Sequence, residues 1–303
     1  MKKRYTTISA IALLLALTIA APMAISPWAR ADGATEQDPF IAALAAANAE
    51  LKAGGAGPVF DAFLAMLPED EGSYLIEGDL AMSKAEVFDW VTRYAEGGAS
   101  IVANPEAKVN VLVDGSLDLY PQDKRHLRYG IDAASFTPER YKEMVQLMAA
   151  AASAWEAGCT GCGLDFEHDM SLDAAAVAPE NGFIVRFRDA GGKFIARAFF
   201  PHQLGEERVL TVDPVFYKPT GYEKTGVLTH ELGHVLGLRH EHIAGVPGCK
   251  TEHGTWIEVT PYDPKSVMHY FCGGGGGKVM KLSDFDRDGI TKAYTTVAGL
   301  PGV

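Results

Sequence analysis

The chain is short of positive charge. Its 303 residues carry 27 lysines and arginines against 39 aspartates and glutamates, a formal net charge of −12. A surface of that sign repels nucleic acid and anionic lipid, so neither is expected as a partner. Long apolar runs are scarce too. Past the N-terminus no window is apolar enough to span a bilayer, which excludes stable membrane insertion of the mature chain. Cysteine is rare: there are four, and none lies between residues 32 and 158. Internal repeats are absent, which leaves one or two ordinary domains for a chain of this length.

The first thirty residues differ from the rest. Lys2, Lys3 and Arg4 precede an apolar run from Ala10 to Ala21, and Ala29-Arg30-Ala31 offers small residues ahead of Asp32. This is the three-part pattern of a secretory signal peptide over residues 1–31, and the run is short for a permanent anchor. The chain is therefore expected to be exported, either secreted or periplasmic. Losing residues 1–31 removes four basic residues and no acidic one, taking the charge to −16. Cys159, Cys162, Cys249 and Cys272 all lie in the exported part, where disulfides persist. Cys159-Thr160-Gly161-Cys162 follows a helix rather than opening one, as a redox motif should, and lacks two further ligands for a zinc site. A loop-locking disulfide is the favoured reading. Cys249 and Cys272 could close a second loop.

Coarse periodicity predicts helices over Pro39–Lys52, Val59–Leu67 and Lys84–Tyr94, and strands over Tyr74–Leu80 and Val109–Val113. A stronger pattern starts near Tyr129. Thr137 can cap a helix that Pro138 opens, with Tyr141, Met144, Val145, Met148, Ala152 and Trp155 on one stripe and Gly158 at its stop. Strands are expected over Leu127–Ile131, Gly163–Phe166, Phe183–Phe187, Lys193–Phe200 and Val209–Val212, and helices over Lys224–Leu236 and Ser283–Thr295. That order means an α+β domain. Asp284-Phe285-Asp286-Arg287-Asp288-Gly289 imitates a calcium loop, but Thr295 stands where the bidentate Glu belongs, and Ser283 with Asp286 reads better as a helix cap.

The chemistry concentrates in Thr229-His230-Glu231-Leu232-Gly233-His234-Val235-Leu236-Gly237-Leu238-Arg239-His240-Glu241-His242. His230 and His234, four residues apart, share a helix face and can hold one metal ion. Glu231 falls beside that metal as a base. Gly237 can end the helix and return His240 as third ligand, leaving a fourth position for water, as catalytic zinc sites do. One Zn2+ is the expected cofactor. His242 is expected at the surface, because the ligand set is already complete. Downstream, Ser266-Val267-Met268-His269-Tyr270 has the form of the tight turn that accompanies the long zinc motif, with Met268 as a soft floor and His269 structural within the turn.

At these motifs the sequence resembles the metzincin clan and, within it, the astacin-like zinc endopeptidases. His240 is followed by Glu241, the turn reads SVMHY, and Arg197-Ala198-Phe199-Phe200-Pro201 is similar to the family's edge strand. The resemblance covers about residues 128 to 294. It implies a metzincin fold: a mixed twisted sheet, an active-site helix carrying HExxH, a Met-turn at Met268 and a C-terminal helix. It also implies a zinc-dependent endopeptidase with Glu231 and Tyr270 catalytic, and peptide substrate paired along Ala196, Arg197, Ala198, Phe199 and Phe200. In astacins the Glu after the third His anchors the trimmed N-terminus; Glu241 keeps that half, but no Arg follows it here. The layout from Trp155 to Phe166 also resembles matrixin-like bacterial proteases, so a bacterial astacin/matrixin-like peptidase is the better description.

Residues 32–125 are expected to form a pro-region or accessory domain ahead of a catalytic domain spanning 126–303. The matrixin device, a propeptide cysteine on the zinc, is absent. Ile76-Glu77-Gly78-Asp79 resembles the FxGD motif of astacin propeptides, so Asp79 is a candidate latency ligand; a plain turn is the rival. Lys124-Arg125 suggests a processing point, with a basic surface loop as the simpler reading. A monomer acting on peptide or protein is expected. The alternatives are a binding protein that keeps the zinc without significant proteolysis, against which Glu231 argues, and a hydrolase of non-peptide substrate.

Overall fold

The computed structural model describes residues 39–94, 108–110, 116–175, 177–250, 252 and 256–296. The signal-peptide expectation, and residues 111–113 of the expected strand, lie outside the described residues. In chain order the elements begin with helices α1 (Pro39–Gly54) and α2 (Pro58–Leu64), strands β1 (Glu69–Asp70), β2 (Ser73–Ile76) and β3 (Leu80–Met82), and helix α3 (Lys84–Tyr94). Strand β4 (Lys108–Asn110), strand β5 (His126–Ile131), helix α4 (Pro138–Gly158), and strands β6 (Asp165–His168), β7 (Gly182–Phe187), β8 (Ala196–Arg197) and β9 (Val209–Val212) follow. Helix α5 (Lys224–Val235), strand β10 (Trp256–Glu258) and helix α6 (Asp284–Thr295) complete the order.

The main sheet is mixed, in the order β6-β5-β7-β9-β8. Its first four strands are parallel, with Tyr129 opposite Phe183 and Val185 opposite Leu210. The short β8 runs antiparallel to β9, with Ala196 opposite Val212, and forms one edge. Only Ala196–Arg197 of the expected strand 193–200 pairs with its neighbour as a ladder. The expected strand Tyr74–Leu80 is instead a hairpin: β2 and β3 pair antiparallel around Glu77 and Gly78, both at positive φ (61° and 105°). Alternation alone ran straight through Glu77, but Gly78-Asp79 is a turn signal, and the turn offered there is present.

Two cores result. The larger gathers Leu127, Tyr129, Met144, Met148, Trp155, Phe183, Leu210, Leu228, Leu232, Met268 and Tyr294 around the sheet and α4, α5 and α6. Helix α4 begins as the sequence implies: Thr137 Oγ1 accepts from the Arg140 amide at 3.4 Å, with Pro138 at the first position. Its buried stripe holds Met144, Met148, Ala151, Ala152 and Trp155. Trp155 Nε1 donates to the carbonyl of Thr229 at 2.7 Å, locking α4 to α5. The smaller core joins α1, α2 and α3 through Leu44, Phe60, Phe63, Val87, Trp90 and Val91, and takes in Phe200 from beyond the edge strand.

Lys124-Arg125 departs from the surface-loop reading. Lys124 is half-buried and pairs with Glu180, but Arg125 is buried and donates to the carbonyls of Tyr120 at 3.2 Å and Cys162 at 2.7 Å. The guanidinium also lies 4.9 Å from the ring of Tyr294. Tyr120 belongs to the larger core, so packing against the sheet starts before residue 126.

Candidate metal centre

Helix α5 presents His230, Glu231 and His234 on a fully buried segment. It ends where the spacing requires. Gly237 N–H donates to His234 O at 2.8 Å and Leu238 N–H to Gly233 O at 2.9 Å, the two bonds of a Schellman stop. Gly237 has φ +87°, and a Cβ there would come within 2.1 Å of the Asp118 carbonyl oxygen. The chain reverses at that point, and His240 opens the 3-10 turn Glu241–Ala244 facing back toward the helix.

The three imidazoles meet at Nε2. His240 Nε2 stands 3.2 Å from His230 Nε2 and 3.1 Å from His234 Nε2. Each ring is held from behind at Nδ1: His230 by the carbonyl of Val267 at 2.7 Å, His234 by that of Leu238 at 2.8 Å, His240 by both oxygens of Glu252 at 2.9 Å. Carbonyls and carboxylates only accept, so each Nδ1 carries a proton, and a ring protonated there alone turns its Nε2 lone pair inward. Three converging lone pairs repel one another unless a cation lies between them. Ligands about 2.0–2.1 Å from a tetrahedral zinc stand roughly 3.3 Å apart, close to the spacing of these nitrogens. The residues present therefore fit a zinc ion.

A carboxylate closes the fourth side. Asp79, just past the hairpin turn, lies with Oδ2 3.3 Å from His230 Nε2 and Oδ1 3.3 Å from His240 Nε2 and 3.7 Å from His234 Nε2. Its other contact is the hydroxyl of Tyr270, which also stands 3.1 Å from the Glu77 carbonyl. Asp79 is 3% exposed, Glu231 2% and His240 0%, so the centre is sealed from solvent. The same hairpin covers the sheet edge: Ala198 N–H donates to Asp79 O at 3.1 Å, and Leu80 bridges Ala198 in parallel. Glu77 at the tip forms a buried ion pair with Arg239. Ala196, Arg197, Ala198, Phe199 and Phe200 are all buried, Ala196, Ala198 and Phe199 within the larger core.

Electrostatics reflect this crowding. Burial, then Asp79, push the Glu231 carboxyl well above the usual carboxylate range, and Glu231 Oε2 has no hydrogen-bond partner. Burial, then Arg239 and Glu252 with opposite signs, leave Glu77 raised to about 7. Burial opposes the charged form of His240, but Glu252 and Asp79 outweigh it and hold the ring above its ordinary range. Burial and then Asp79 raise the Tyr270 phenol. Asp79, Glu231 and Glu252 are thus all buried beside the histidine cluster, a grouping of carboxyl groups that suits a divalent cation.

The turn beneath the histidines is pinned from α6. Asp286 accepts from Ser266 Oγ at 2.6 Å and Val267 N–H at 2.8 Å while also forming a capping box with Ser283. Asp286 was legible as a cap and not as the anchor of this turn. Gly233 lets Met268 approach; a Cβ there would meet the Met268 sulfur at 2.3 Å. His269 is buried, bonding Tyr262 Oη at 2.8 Å and the Tyr270 carbonyl at 2.6 Å. The expectation of a surface His242 is wrong. It is 1% exposed, and its Nε2 lies 2.9 Å from Glu252 Oε1, a partner twelve residues beyond His240 that no spacing rule finds. Glu241 accepts from the Asp263 amide at 2.8 Å. The cysteines pair at disulfide distance as Cys159–Cys162 and Cys249–Cys272.

Fold and site together define an α+β protein with a buried cluster of three histidines and a carboxylate able to hold a metal ion. No family model matches the chain, and no curated protein matches it. Among solved structures it is similar to that of myroilysin, at 17% identity and a TM-score of 0.39, over 59% of this chain and 96% of that one. A likeness at that level carries no argument.

Proposed function

We propose that this chain is the latent form of an exported, monomeric zinc endopeptidase of the metzincin kind, akin to a bacterial astacin- or matrixin-like peptidase. The observation that carries the reading is the convergence of three Nε2 atoms, each fixed at Nδ1, with Glu231 beside two of them on one helix. His230, His234 and His240 would hold the zinc, with Met268 in the turn below. When bound, zinc supplies a Lewis acid that lowers the pKa of a water molecule to about 7.

This chain's residues do the rest. Glu231, desolvated and with one oxygen unengaged, accepts the proton of the attacking water and passes it to the leaving amine nitrogen. The Tyr270 hydroxyl, once free of Asp79, donates to the developing oxyanion of the peptide carbonyl. The main chain of Ala196–Phe200 receives an extended substrate at the sheet edge that Asp79 and Leu80 now cover. Residues 32–125 act as the pro-region over a catalytic domain of 126–303, after loss of a signal peptide at 1–31. Asp79 is the latency ligand.

The test is cleavage of casein by the chain freed of its N-terminal region, with zinc content measured beside a Glu231→Ala variant. One zinc in both, with cutting by the wild type alone, is the expected result; a loss on the order of 10²–10⁴-fold is typical of a missing general base. Zinc bound in both with cutting in neither would leave a binding protein in place of a protease.

A further inference from the structure

Of the three imidazoles, two lean on main-chain carbonyls and one leans on a full negative charge. Glu252 is 4% exposed and meets His240 Nδ1 with both oxygens at 2.9 Å. Its Oε1 also meets His242 Nε2 at 2.9 Å. His242 Nδ1 has no hydrogen-bond partner, as expected of a neutral ring that donates through Nε2 and turns a bare lone pair the other way. The three groups form a line, His242 to Glu252 to His240, and the far end of that line is the His240 Nε2 that faces His230, His234 and Asp79. The rings of His240 and His242 stack at 5.1 Å with an interplanar angle of 16°, so both present an N–H to the same carboxylate.

We propose that Glu252 is a positioning residue for the metal centre, fixing the tautomer and orientation of His240 and strengthening its Nε2 as a ligand, with His242 holding Glu252 in turn. The inference rests on the zinc reading above. A carboxylate behind an imidazole raises its basicity more than a carbonyl does, because the ring N–H is drawn toward a full charge. Burying a carboxylate is unfavourable unless positive charge or full hydrogen bonding compensates it. A divalent cation on the far side of His240 supplies such charge, so carboxylate and metal favour each other through the ring. The disulfide Cys249–Cys272 closes the loop in which Glu252 lies three residues from one sulfur, which restrains where its carboxylate can go. Had Glu252 only a structural role as partner of His242, His240 would need no contact from both of its oxygens.

The experiment uses the full chain and titrates zinc against a chromophoric chelator for the wild type, Glu252→Gln and His242→Asn. Glu252→Gln keeps the shape and an acceptor oxygen but not the charge. Its zinc affinity is expected to fall roughly 10–100-fold, the usual cost of losing such a partner, with His242→Asn losing less. The visible spectrum of the cobalt-substituted variant should shift, while thermal unfolding of the metal-stripped variant stays at the wild-type value. Wild-type affinity with an unchanged cobalt spectrum in Glu252→Gln overturns the proposal and leaves the zinc reading standing. A wild type that takes up no zinc overturns both. If Glu252→Gln does not fold, nitrogen-15 histidine spectra of the zinc-loaded wild type decide. The Nδ1 proton of His240 should lie downfield of those of His230 and His234, and equal shifts for all three would overturn the assignment.

Discussion

The two hydrophobic cores of this molecule are built on different terms. The larger one, around the five-stranded sheet, contains no described residue before Val109. The smaller one, between α1, α2 and α3, is completed by Phe200, which belongs to the sheet side. A further cluster joins Leu75 and Ala81 of the hairpin to Ala190 and Phe194. Charged groups follow the same division. Asp70 of β1 pairs with Arg188 and Arg197, Glu77 with Arg239, and Glu86 of α3 with His202. The N-terminal module thus finishes its packing on Phe200, Ala190 and Phe194 of the sheet side, while the larger core takes no described residue from before Val109. A part that can leave with the larger core intact is suited to temporary cover.

That contrast can be broken from either side. Trp155→Ala and Phe200→Ala each empty a site of large aromatic volume, at a cost of about 3–5 kcal/mol. Trp155→Ala should lower the melting of the whole chain. Phe200→Ala should instead split calorimetric unfolding into two transitions, with early proteolysis confined to residues before about 108; a single lowered transition would mean that the two cores are one. Next in size, Asp79→Asn removes a charged partner from Tyr270 and the imidazoles, about 1.5–3 kcal/mol. The uncut chain should then digest casein roughly 10–100-fold faster than wild type, and an unchanged rate would remove Asp79 from the latency.

The smallest effect concerns His202. Burial opposes its charge, but Asp118 at 2.6 Å and Glu86 at 2.9 Å outweigh it and raise its pKa to about 10. A folded-state pKa above the unfolded value gives stability that is complete below the ordinary 6.5 and vanishes as pH rises through 10. The melting temperature of wild type should therefore exceed that of His202→Asn most at about pH 6 and converge with it near pH 10. A gap independent of pH would mean that packing, not charge, holds the two sides together here.

What could be read in advance followed local rules. Histidines four apart share a helix face, Gly237 meets a Schellman stop, and Thr137-Pro138 opens α4, since each depends on neighbours a few residues away. The placement of Asp79 came from a four-residue resemblance, and the contacts that surround it belong to a hairpin the alternation did not reveal. Glu252 and His242 were out of reach because their pairing depends on a chain path between a buried turn and a disulfide, with no periodicity to betray it. Arg239 lies inside the motif itself, yet its partner Glu77 is 162 residues away, and no spacing rule spans that distance. The surface placement expected of His242 failed for the same reason: it was inferred from a complete ligand set, and the Glu252 that meets its buried ring lies outside that set.

The hairpin that carries Asp79 is joined to the groups it covers by the chain itself. Its hold on the histidines therefore answers to an effective concentration, on the order of millimolar for short flexible tethers, and not to how much protein is present. Dilution into a large volume cannot release it. A single cut between the two modules turns the same contact into an encounter between separate molecules, whose occupancy then falls with every further dilution. Export into an open space would make such a cut act as a one-way step, whereas retention in a small compartment would let the severed piece return.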